Sequence, residues 1–297
     1  MTVTAADAPV TEAPAHGTGR GLLMMLAGAA SNQTGAAVGA HAFDAIGPSG
    51  VVAVRQVIAA AVLLPMVRPP VHRFTRAQWW PVVLLGLVFG AMNLSLYTAV
   101  DRIGLGLAVT LEFVGPLSVA LAGTRRAVDL LCAVGAAGGV YVLVLPGATT
   151  DFVGVGLALV AASCWASYIL LNRLVGVRLP GLQATAVASG VSGLAYLPVL
   201  VVLAVSGTLT GRALLFAATT GVLSSVVAYA LDLGALRRVS ARFFGVFMSV
   251  HPVVAALAGL VILGQVLAPH EVLGMAIVVA ANVVAVGTLR SSGRVRR

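Results

Sequence analysis

The chain has 297 residues, of which 60% are hydrophobic and only 9% are charged. Soluble domains carry about 25% charged residues, so the composition excludes an ordinary soluble domain and predicts a multi-pass membrane protein in contact with a lipid bilayer. The net charge of +9 comes from 18 arginines that are spread between apolar stretches, whereas nucleic-acid binding requires a clustered basic face. We therefore expect no nucleic-acid partner.

Residues 1–20 are rich in Thr, Ala and Pro without apolar periodicity, which predicts a disordered cytoplasmic tail. Beyond this tail, apolar runs of about 20 residues are long enough to cross a bilayer as helices. They predict ten transmembrane helices, near residues 21–41, 50–67, 79–100, 104–122, 127–146, 154–174, 183–205, 212–234, 242–263 and 270–289. Residues 290–297 form a basic cytoplasmic tail. Cys132 and Cys164 fall inside predicted helices, where buried free thiols are expected.

The arginines between the predicted helices indicate which way the chain crosses the membrane. If the chain starts in the cytoplasm, fifteen arginines fall on the cytoplasmic side, only Arg102 and Arg212 fall on the opposite side, and Arg55 lies inside a helix. Because cytoplasmic loops are enriched in basic residues, we predict that both termini are cytoplasmic. The first helix can alternatively be a signal peptide, since residues 27–29 resemble a cleavage site. Its removal would invert the arginine bias, which argues against this alternative.

Glu112 lies in the middle of the fourth predicted helix, at a depth where a charge costs about 2.5 to 3.5 kcal/mol and usually faces protein or water. Pro116 follows four residues later and has no N–H to donate to the carbonyl of Glu112, so we expect a helix kink there. This midpoint offers a carboxylate and a free carbonyl. In lipid both groups need neighbouring side chains, ordered water or a passing solute as partners.

A second proline in a similar place indicates an internal repeat. His251 precedes Pro252 at the centre of the ninth predicted helix, where a second kink is expected, and Pro252 follows Pro116 by 136 residues. The same offset aligns identical residues at positions 99, 102, 114, 120, 121, 122 and 123 with those at 235, 238, 250, 256, 257, 258 and 259. The ten helices then form two five-helix repeats, residues 21–146 and 154–289. Because five is odd, the repeats are predicted to be inverted, as in secondary transporters.

Short motifs occur in most of the predicted helices. They are Ser31-x-Gln33, Gly47-x-x-Gly50-Val51-x-Ala53-x-Arg55, Met92-Asn93 with Tyr97, Leu111-Glu112-Phe113-x-Gly115-Pro116-Leu117, Arg125-Arg126-x-Val128-Asp129, Cys164-Trp165-Ala166-x-Tyr168-Ile169-Leu170, Arg242-x-Phe244-Gly245-x-x-Met248-Ser249 and Leu263-Gly264. With these motifs the chain resembles the EamA-type carriers of the drug/metabolite transporter superfamily, and among them the bacterial exporters of threonine and homoserine. The resemblance implies a transporter of the bacterial inner membrane that exports small amino acids or related metabolites. His251 and Gln265 depart from the family pattern, which has Glu at both positions.

The polar and aromatic residues deep in the predicted helices are the candidates for the solute site. Glu112 is the first candidate for proton coupling, because a carboxylate can bind a proton on one side of the membrane and release it on the other. His251 is the second, because imidazole exchanges protons near neutral pH. Asn93 and Tyr97 are four residues apart and share one face of the third helix. The predicted substrate-binding residues are Gln33, Arg55, Asn93, Tyr97, Glu112, Trp165, Tyr168 and His251.

These residues also have structural interpretations. Glu112 and His251 can be buried groups that helix partners satisfy, and the aromatic side chains can be ordinary packing residues. Arg55 is near the predicted periplasmic end of its helix, so it can extend to the membrane interface instead of binding a solute. Asp129 and Asp232 lie near arginines at the cytoplasmic ends of their helices, and we expect both to form interfacial ion pairs.

The sequence contains no ATP-binding, metal-binding or dinucleotide-binding motif, so we expect neither a cofactor nor a metal. It predicts a secondary active transporter, linked to protons, that exports small amino acids by alternating access and is not an enzyme. An importer or facilitator of another small metabolite is the alternative within transport. A membrane enzyme or assembly factor that uses Glu112 and His251 as acid and base is the alternative of another class.

Overall fold

The computed structural model describes residues 15–122, 127–145, 150–179, 182–236, 238–239, 244 and 247–288. Within these ranges the regular structure is helical and contains no strand, which confirms an all-α protein. The helices long and apolar enough to cross a membrane are Phe43–Val67, Arg76–Ile103, Phe152–Gly176, Gln183–Val205 and Gly211–Asp232. The shorter apolar helices are Leu105–Val119, Leu130–Val144, His251–Leu263 and Pro269–Ala285.

The described elements follow one another along the chain as follows. They are α1 (Ala15–Ala40), α2 (Phe43–Val67), a 3-10 turn (Val71–Arg73), α3 (Arg76–Ile103), α4 (Leu105–Glu112), α5 (Val114–Leu121), α6 (Ala127–Val144), α7 (Phe152–Gly176), α8 (Gln183–Val205), α9 (Gly211–Gly221), a π-helical segment (Val222–Val227), α10 (Ala228–Leu236), α11 (His251–Leu263) and α12 (Pro269–Thr288). Side-chain caps fix several of the helix starts. The hydroxyl of Thr210 accepts from the N–H of Ala213 at 3.2 Å, and Thr75 forms a capping box with Gln78.

A break near the start of α2 agrees with the predicted start of the second helix near residue 50. The element begins at Phe43, but Gly47 with φ 66° and ψ 167° is non-helical and separates a short first turn from the helix that follows, because glycine accepts this left-handed φ at no steric cost. Arg55 lies in the second part, which continues to Val67.

The two proline sites differ in the structure. The fourth predicted helix is interrupted at Phe113, which separates α4 from α5 three residues before Pro116. Pro252 instead occupies the first turn of α11, where its missing N–H costs no hydrogen bond. The predicted ninth helix, 242–263, is thus described as a helix from His251 onward, and residues 240–243 and 245–246 lie outside the described part.

Hydroxyl groups join the π-helical segment and the end of α9 to α1. Ser31 Oγ donates to the carbonyl oxygen of Leu223 at 2.8 Å, and Ser224 Oγ donates to the carbonyl oxygen of Asn32 at 2.7 Å. Thr220 Oγ1 donates to the carbonyl oxygen of Gly35 at 2.8 Å. The carbonyl oxygen of Leu223 also accepts from the backbone N–H of Ala228, so the hydroxyl of Ser31 is a second donor to it from the neighbouring helix.

Helix packing brings distant parts of the chain together. α2 packs against α8, α6 against α12, and α4 against α11, while α3 lies between α7 and α8 and α1 lies against α9 and α10. Small residues permit these close approaches, as is usual between membrane helices. Gly106 of α4, for example, lies directly against the backbone of Ala256 in α11.

An ion pair joins α3 to α7 at one end of the bundle. Arg102 Nε lies 2.9 Å from Asp151 Oδ2, and both side chains are partly exposed. Asp151 also caps α7, since its Oδ1 accepts from the N–H of Gly154 at 2.9 Å. The backbone N–H of Gly154, together with Arg102, holds the pKa of Asp151 below its usual range. An exposed pair of this kind contributes little to stability.

We predict that Gly115→Ala prevents stable packing of α5 on α7. A Cβ at Gly115 would overlap the backbone carbonyl oxygen of Ala162, and a main-chain atom cannot move aside as a flexible side chain can. Gly138→Ala on α6 is the matched control, because a Cβ there meets nothing within 4 Å. We expect a large loss of monodisperse protein in detergent for Gly115→Ala and none for Gly138→Ala. Equal yields and unfolding midpoints for the two variants would contradict the described packing.

Candidate functional site

A cavity of about 530 Å³ lies between the helices near the middle of the bundle. All eight predicted substrate-binding residues contribute to its wall: Gln33, Arg55, Asn93, Tyr97, Glu112, Trp165, Tyr168 and His251. Glu112 and His251, which we expected at similar depth in repeat-related helices, face this same cavity. Pro116 also lines it, whereas Pro252 is buried outside the wall.

Arg55 is buried in the cavity wall, with only 8% of its surface exposed. Its Nη1 donates to the hydroxyl of Tyr97 at 3.0 Å, its Nε donates to Ser225 Oγ at 3.2 Å, and its Nη2 donates to the carbonyl oxygen of Ser224 at 3.3 Å. Arg55 therefore connects α2 to α3 and to the π-helical segment. The alternative in which it extends to the membrane interface does not fit this position.

Glu112 presents its carboxylate to the cavity without a hydrogen bond from the described residues. It is 5% exposed and lies on α4 immediately before the break at Phe113. Arg55 is the cation that acts on it electrostatically, and no direct ion pair joins the two side chains in the described part of the chain. The carboxylate is thus free to bind a cation or a proton from the cavity.

His251 contacts Gln33 on one side and an aromatic wall on the other. Gln33 Nε2 lies 3.4 Å from His251 Nδ1. The imidazole stacks on Phe113 with ring centroids 5.9 Å apart, and Phe113 meets Trp165 edge to face at 4.8 Å. His251 Nε2 is buried and has no hydrogen-bond partner among the described residues.

The remaining predicted side chains extend the wall along α3 and α7. Asn93 Nδ2 donates to the carbonyl oxygen of Phe89 at 2.8 Å, which leaves its amide oxygen unused by the described residues. The ring of Tyr168 packs against Phe89 with centroids 5.7 Å apart. These residues give the site neutral hydrogen-bonding groups beside its two charged ones.

The structure places Asp232 in the cavity wall, and its expected interfacial ion pair stays a prediction. The guanidinium of Arg238 is engaged elsewhere, since its Nη1 donates to the carbonyl oxygen of Gly234 at 2.7 Å. Within the described residues Asp232 has no ion-pair partner, and Arg237 lies outside them. The side chain of Asp129 is also outside the described part, so its expected ion pair stays a prediction.

Several cavity residues were not singled out from the sequence. Phe113, Ser224, Tyr229 and Asn282 line the wall, but aromatic and small polar residues in apolar helices usually serve packing. Tyr229 had one usable signal, because it follows Asn93 by 136 residues, the offset of the two prolines. In the described ranges no three His, Cys, Asp or Glu side chains come together as metal ligands.

A cavity with charged and amide side chains in its wall, between helices apolar enough to cross a membrane, is the arrangement expected of a membrane transporter. The model of the EamA-like transporter family matches residues 152–287. The threonine/homoserine exporter RhtA of Salmonella typhimurium strain LT2 is 33% identical over 279 residues, covering 93% of this chain and 94% of that protein. RhtA of Escherichia coli strain K12 is 32% identical over 278 residues, with the same coverage.

More distant similarity agrees with this class. The uncharacterized transporter YwfM of Bacillus subtilis strain 168 is 28% identical over 210 residues, covering 67% of this chain and 70% of that protein. A solved crystal structure at 20% identity shares the fold with a TM-score of 0.57, covering 95% of this chain and 99% of the other. The chain belongs to the EamA-like transporter family. It is therefore a transporter of the inner membrane rather than an enzyme, which removes the membrane-enzyme alternative.

Proposed function

We propose that this protein is a proton-linked secondary transporter that exports small amino acids such as threonine or homoserine by alternating access. One observation carries the proposal: an unpartnered carboxylate, Glu112, and a buried guanidinium, Arg55, line the same cavity. A zwitterionic amino acid offers the opposite charge to each. The RhtA relatives are threonine/homoserine exporters, which agrees with this chemistry.

The two charged ends of the substrate are assigned to different groups. Glu112 binds the ammonium, because it is the acidic side chain beside the break between α4 and α5. Arg55 has five N–H donors, of which three are used within the protein, so two remain for the substrate carboxylate. Asn93 and the hydroxyl of Tyr97 lie on the same wall and supply further hydrogen bonds to that end.

Proton coupling is assigned first to Glu112. If the same carboxylate binds either a proton or the substrate ammonium, the two compete, and competition for one group enforces exchange across the membrane. His251 is the second proton site. Its Nδ1 accepts from the amide of Gln33 in the neutral form, so protonation requires this contact to break.

Two features of the bundle support the inverted-repeat architecture with ten membrane helices. If α1, α2, α3, α4–α5 and α6 correspond to α7, α8, α9–α10, α11 and α12, several packing pairs between the halves have a counterpart. Contact of α3 with α7 corresponds to contact of α1 with α10, and contact of α3 with α8 corresponds to contact of α2 with α9. The family model matches residues 152–287, which nearly coincide with the proposed second repeat, 154–289. The proposed first repeat is 21–146.

The cavity wall follows the same symmetry at the level of residues. Positions that differ by 136 in residue number line the cavity together: Asn32 and Tyr168, Gln33 and Ile169, Met92 and Ala228, Asn93 and Tyr229, Leu96 and Asp232, Glu112 and Met248, and Phe113 and Ser249. Repeat-related residues thus share one site, which is the arrangement expected where two halves meet around a solute.

The exposure of the lining residues indicates to which side the cavity opens. Tyr97, Val100 and Leu105, toward one end of the cavity, are buried, whereas Pro116 and Asp232, toward the other, are half-buried. With cytoplasmic termini the half-buried end faces the cytoplasm. A substrate can then enter from the cytoplasm while the periplasmic end is packed shut, which is the state in which an exporter is loaded.

The predicted orientation has a direct test. A reporter active only in the cytoplasm, fused after Arg297, is expected to be active, because fifteen arginines against two favour cytoplasmic termini. A second reporter, active only in the periplasm, is the matched control at the same site. Activity of the periplasmic reporter alone would reverse the orientation and, with it, the side on which the cavity opens.

Counterflow in proteoliposomes tests the substrate assignment. Vesicles loaded with unlabelled amino acid are expected to take up labelled threonine or homoserine well above protein-free vesicles, without an imposed gradient. A panel of other amino acids and of non-amino-acid metabolites provides the comparison. If only a metabolite without an amino group is exchanged, amino-acid transport is wrong, and inward accumulation in intact cells would favour an importer or facilitator over an exporter.

A further inference from the structure

One side chain, Gln265, joins two helices at the packed end of the cavity. Its amide oxygen, Oε1, accepts from the backbone N–H of Leu105 at 2.9 Å. Gln265 follows α11, whereas Leu105 is the first residue of α4 and lies 160 positions earlier in the chain. The contact therefore ties the start of α4 to the segment that follows α11.

Two glycines make room for this amide. An added Cβ would lie 3.1 Å from Gln265 Oε1 at Gly104 and 2.8 Å from the same oxygen at Gly259, closer than ordinary van der Waals contact. Gly104 also has φ 83°, which glycine adopts at no steric cost. The backbone of Gln265 is held as well, since its N–H donates to the carbonyl oxygen of Gly259 at 3.0 Å. The fold of both helices thus determines where this side chain lies.

Leu105 also belongs to the cavity wall. Val100 and Leu105 line the cavity at its packed end and are 4% and 0% exposed, so a solute cannot leave between them. With cytoplasmic termini this end faces the periplasm. Release of a solute to the periplasm then requires α4 to move away from its neighbours at this end, and the hydrogen bond between Gln265 and Leu105 opposes that movement.

We propose that Gln265 is the gating residue at the periplasmic end: its hydrogen bond to Leu105 holds the cavity closed toward the periplasm and breaks when the solute is released there. This inference rests on the proposed function, since it presupposes alternating access with cytoplasmic termini. The bond joins α4, which carries Glu112, to the end of α11, which begins at His251. Opening of the gate therefore moves the helices of the two candidate proton-binding groups relative to each other.

The chemistry of the contact predicts opposite effects for two substitutions. Leu105 begins a helix, where the first N–H groups have no partner within the helix. A carboxylate accepts a stronger hydrogen bond from such a group than an amide does, and a helix N-terminus also favours negative charge. Gln265→Glu is therefore expected to hold the gate closed more firmly. Gln265→Leu has no acceptor and is expected to let the gate open more often.

Labelling of a cysteine at the packed end measures how often the gate is open. Val100→Cys is introduced into a protein in which Cys132 and Cys164 are replaced by Ala. Spheroplasts are then treated from outside with a membrane-impermeant maleimide, and the labelling rate is compared with and without each substitution of Gln265. A single monodisperse peak in detergent verifies that each variant is folded.

Glu271→Leu is the matched control. Glu271 Oε2 also accepts from a backbone N–H, that of Ala268 at 2.6 Å, but its partner is only three positions away. The control thus removes an acceptor beside the start of α12 without breaking a contact between two helices. We expect it to leave the labelling rate at position 100 unchanged.

We expect Gln265→Leu to raise the labelling rate about fivefold, the effect of one net hydrogen bond on the open population, and Gln265→Glu to lower it. Wild-type labelling rates in both variants overturn the gating role, and so does a shift of both in the same direction. An equal increase in Glu271→Leu also overturns it, because the packed end would then loosen without loss of the contact to Leu105.

Counterflow of labelled threonine, measured on the same proteins, separates this inference from the proposed function. If the protein exchanges no amino acid but the two Gln265 variants shift labelling in opposite directions, amino-acid export is wrong and the gating role stands. If threonine is exchanged while neither variant changes the labelling rate, the gating role is wrong and export stands.

Discussion

Replacement of Glu112 by Gln is expected to reduce pH-gradient-driven accumulation of substrate to background. The amide keeps the shape and hydrogen-bonding capacity of the side chain but binds no proton, so the gradient can no longer be coupled to transport. Exchange at equal pH on both sides is expected to survive in part, because the amide oxygen can still accept from the substrate ammonium. The protein remains folded, since no described residue depends on a hydrogen bond to this carboxylate.

Uptake into inside-out vesicles under an imposed pH gradient measures this effect, with exchange at equal pH in the same preparation as the internal reference. Asp151→Asn is the matched acid-to-amide control, because Asp151 lies in an exposed ion pair away from the cavity, and we expect near wild-type accumulation. Full gradient-driven accumulation in Glu112→Gln would remove the proton-carrier role and return Glu112 to a structural one.

Arg55→Met is the second change with a large expected effect. It leaves the hydroxyls of Tyr97 and Ser225 and the carbonyl oxygen of Ser224 without their charged donor. Hydrogen bonds to charged groups contribute about 1.5 to 3 kcal/mol each. Because the variant no longer buries a charge, which offsets part of the loss of three such bonds, we expect a net free-energy loss on the order of 3 kcal/mol. Transport should also fall to background, because the substrate carboxylate loses its cation.

The unfolding midpoint in detergent and counterflow are measured on the same Arg55→Met preparation. Arg102→Met is the control, because Arg102 forms a partly exposed ion pair with Asp151, and such pairs contribute little to stability. If the Arg55→Met protein is as stable and as active as Arg102→Met, the hydrogen bonds of Arg55 contribute neither to stability nor to transport.

The polar residues of the cavity could be predicted from sequence because placing a polar side chain in lipid costs free energy. Glu112, Arg55 and His251 are conspicuous in apolar helices, and the same energetic penalty that makes them visible drives them toward a shared interior. Helical spacing then adds Asn93 and Tyr97 as neighbours on one face. The all-α class follows as directly, because only helices satisfy their own backbone along a single apolar segment.

Other features carried too little sequence signal. Phe113 and Ser224 are unremarkable in composition, and only their positions beside a helix break and a π-helical turn give them contacts with the site. The burial of Arg55 could not be predicted from its position along its own helix, because it depends on contacts with α3 and the π-helical segment. Asp232 read as interfacial because nearby arginines suggested a partner, whereas the direction of its side chain depends on helix rotation.

The π-helical segment, Val222–Val227, determines in which direction around the helix axis the following side chains point. A π-helical turn holds an extra residue, and one residue corresponds to about 100° of rotation around a helix axis. Removal of that residue would turn Tyr229 and Asp232 away from the solute while Thr220 keeps its hydrogen bond to α1. The part of this helix before the π-helical segment therefore faces α1, and the part after it is rotated so that its side chains face the cavity. Deletion of one residue within Val222–Val227 would change which side chains line the cavity and leave the contact with α1 unchanged.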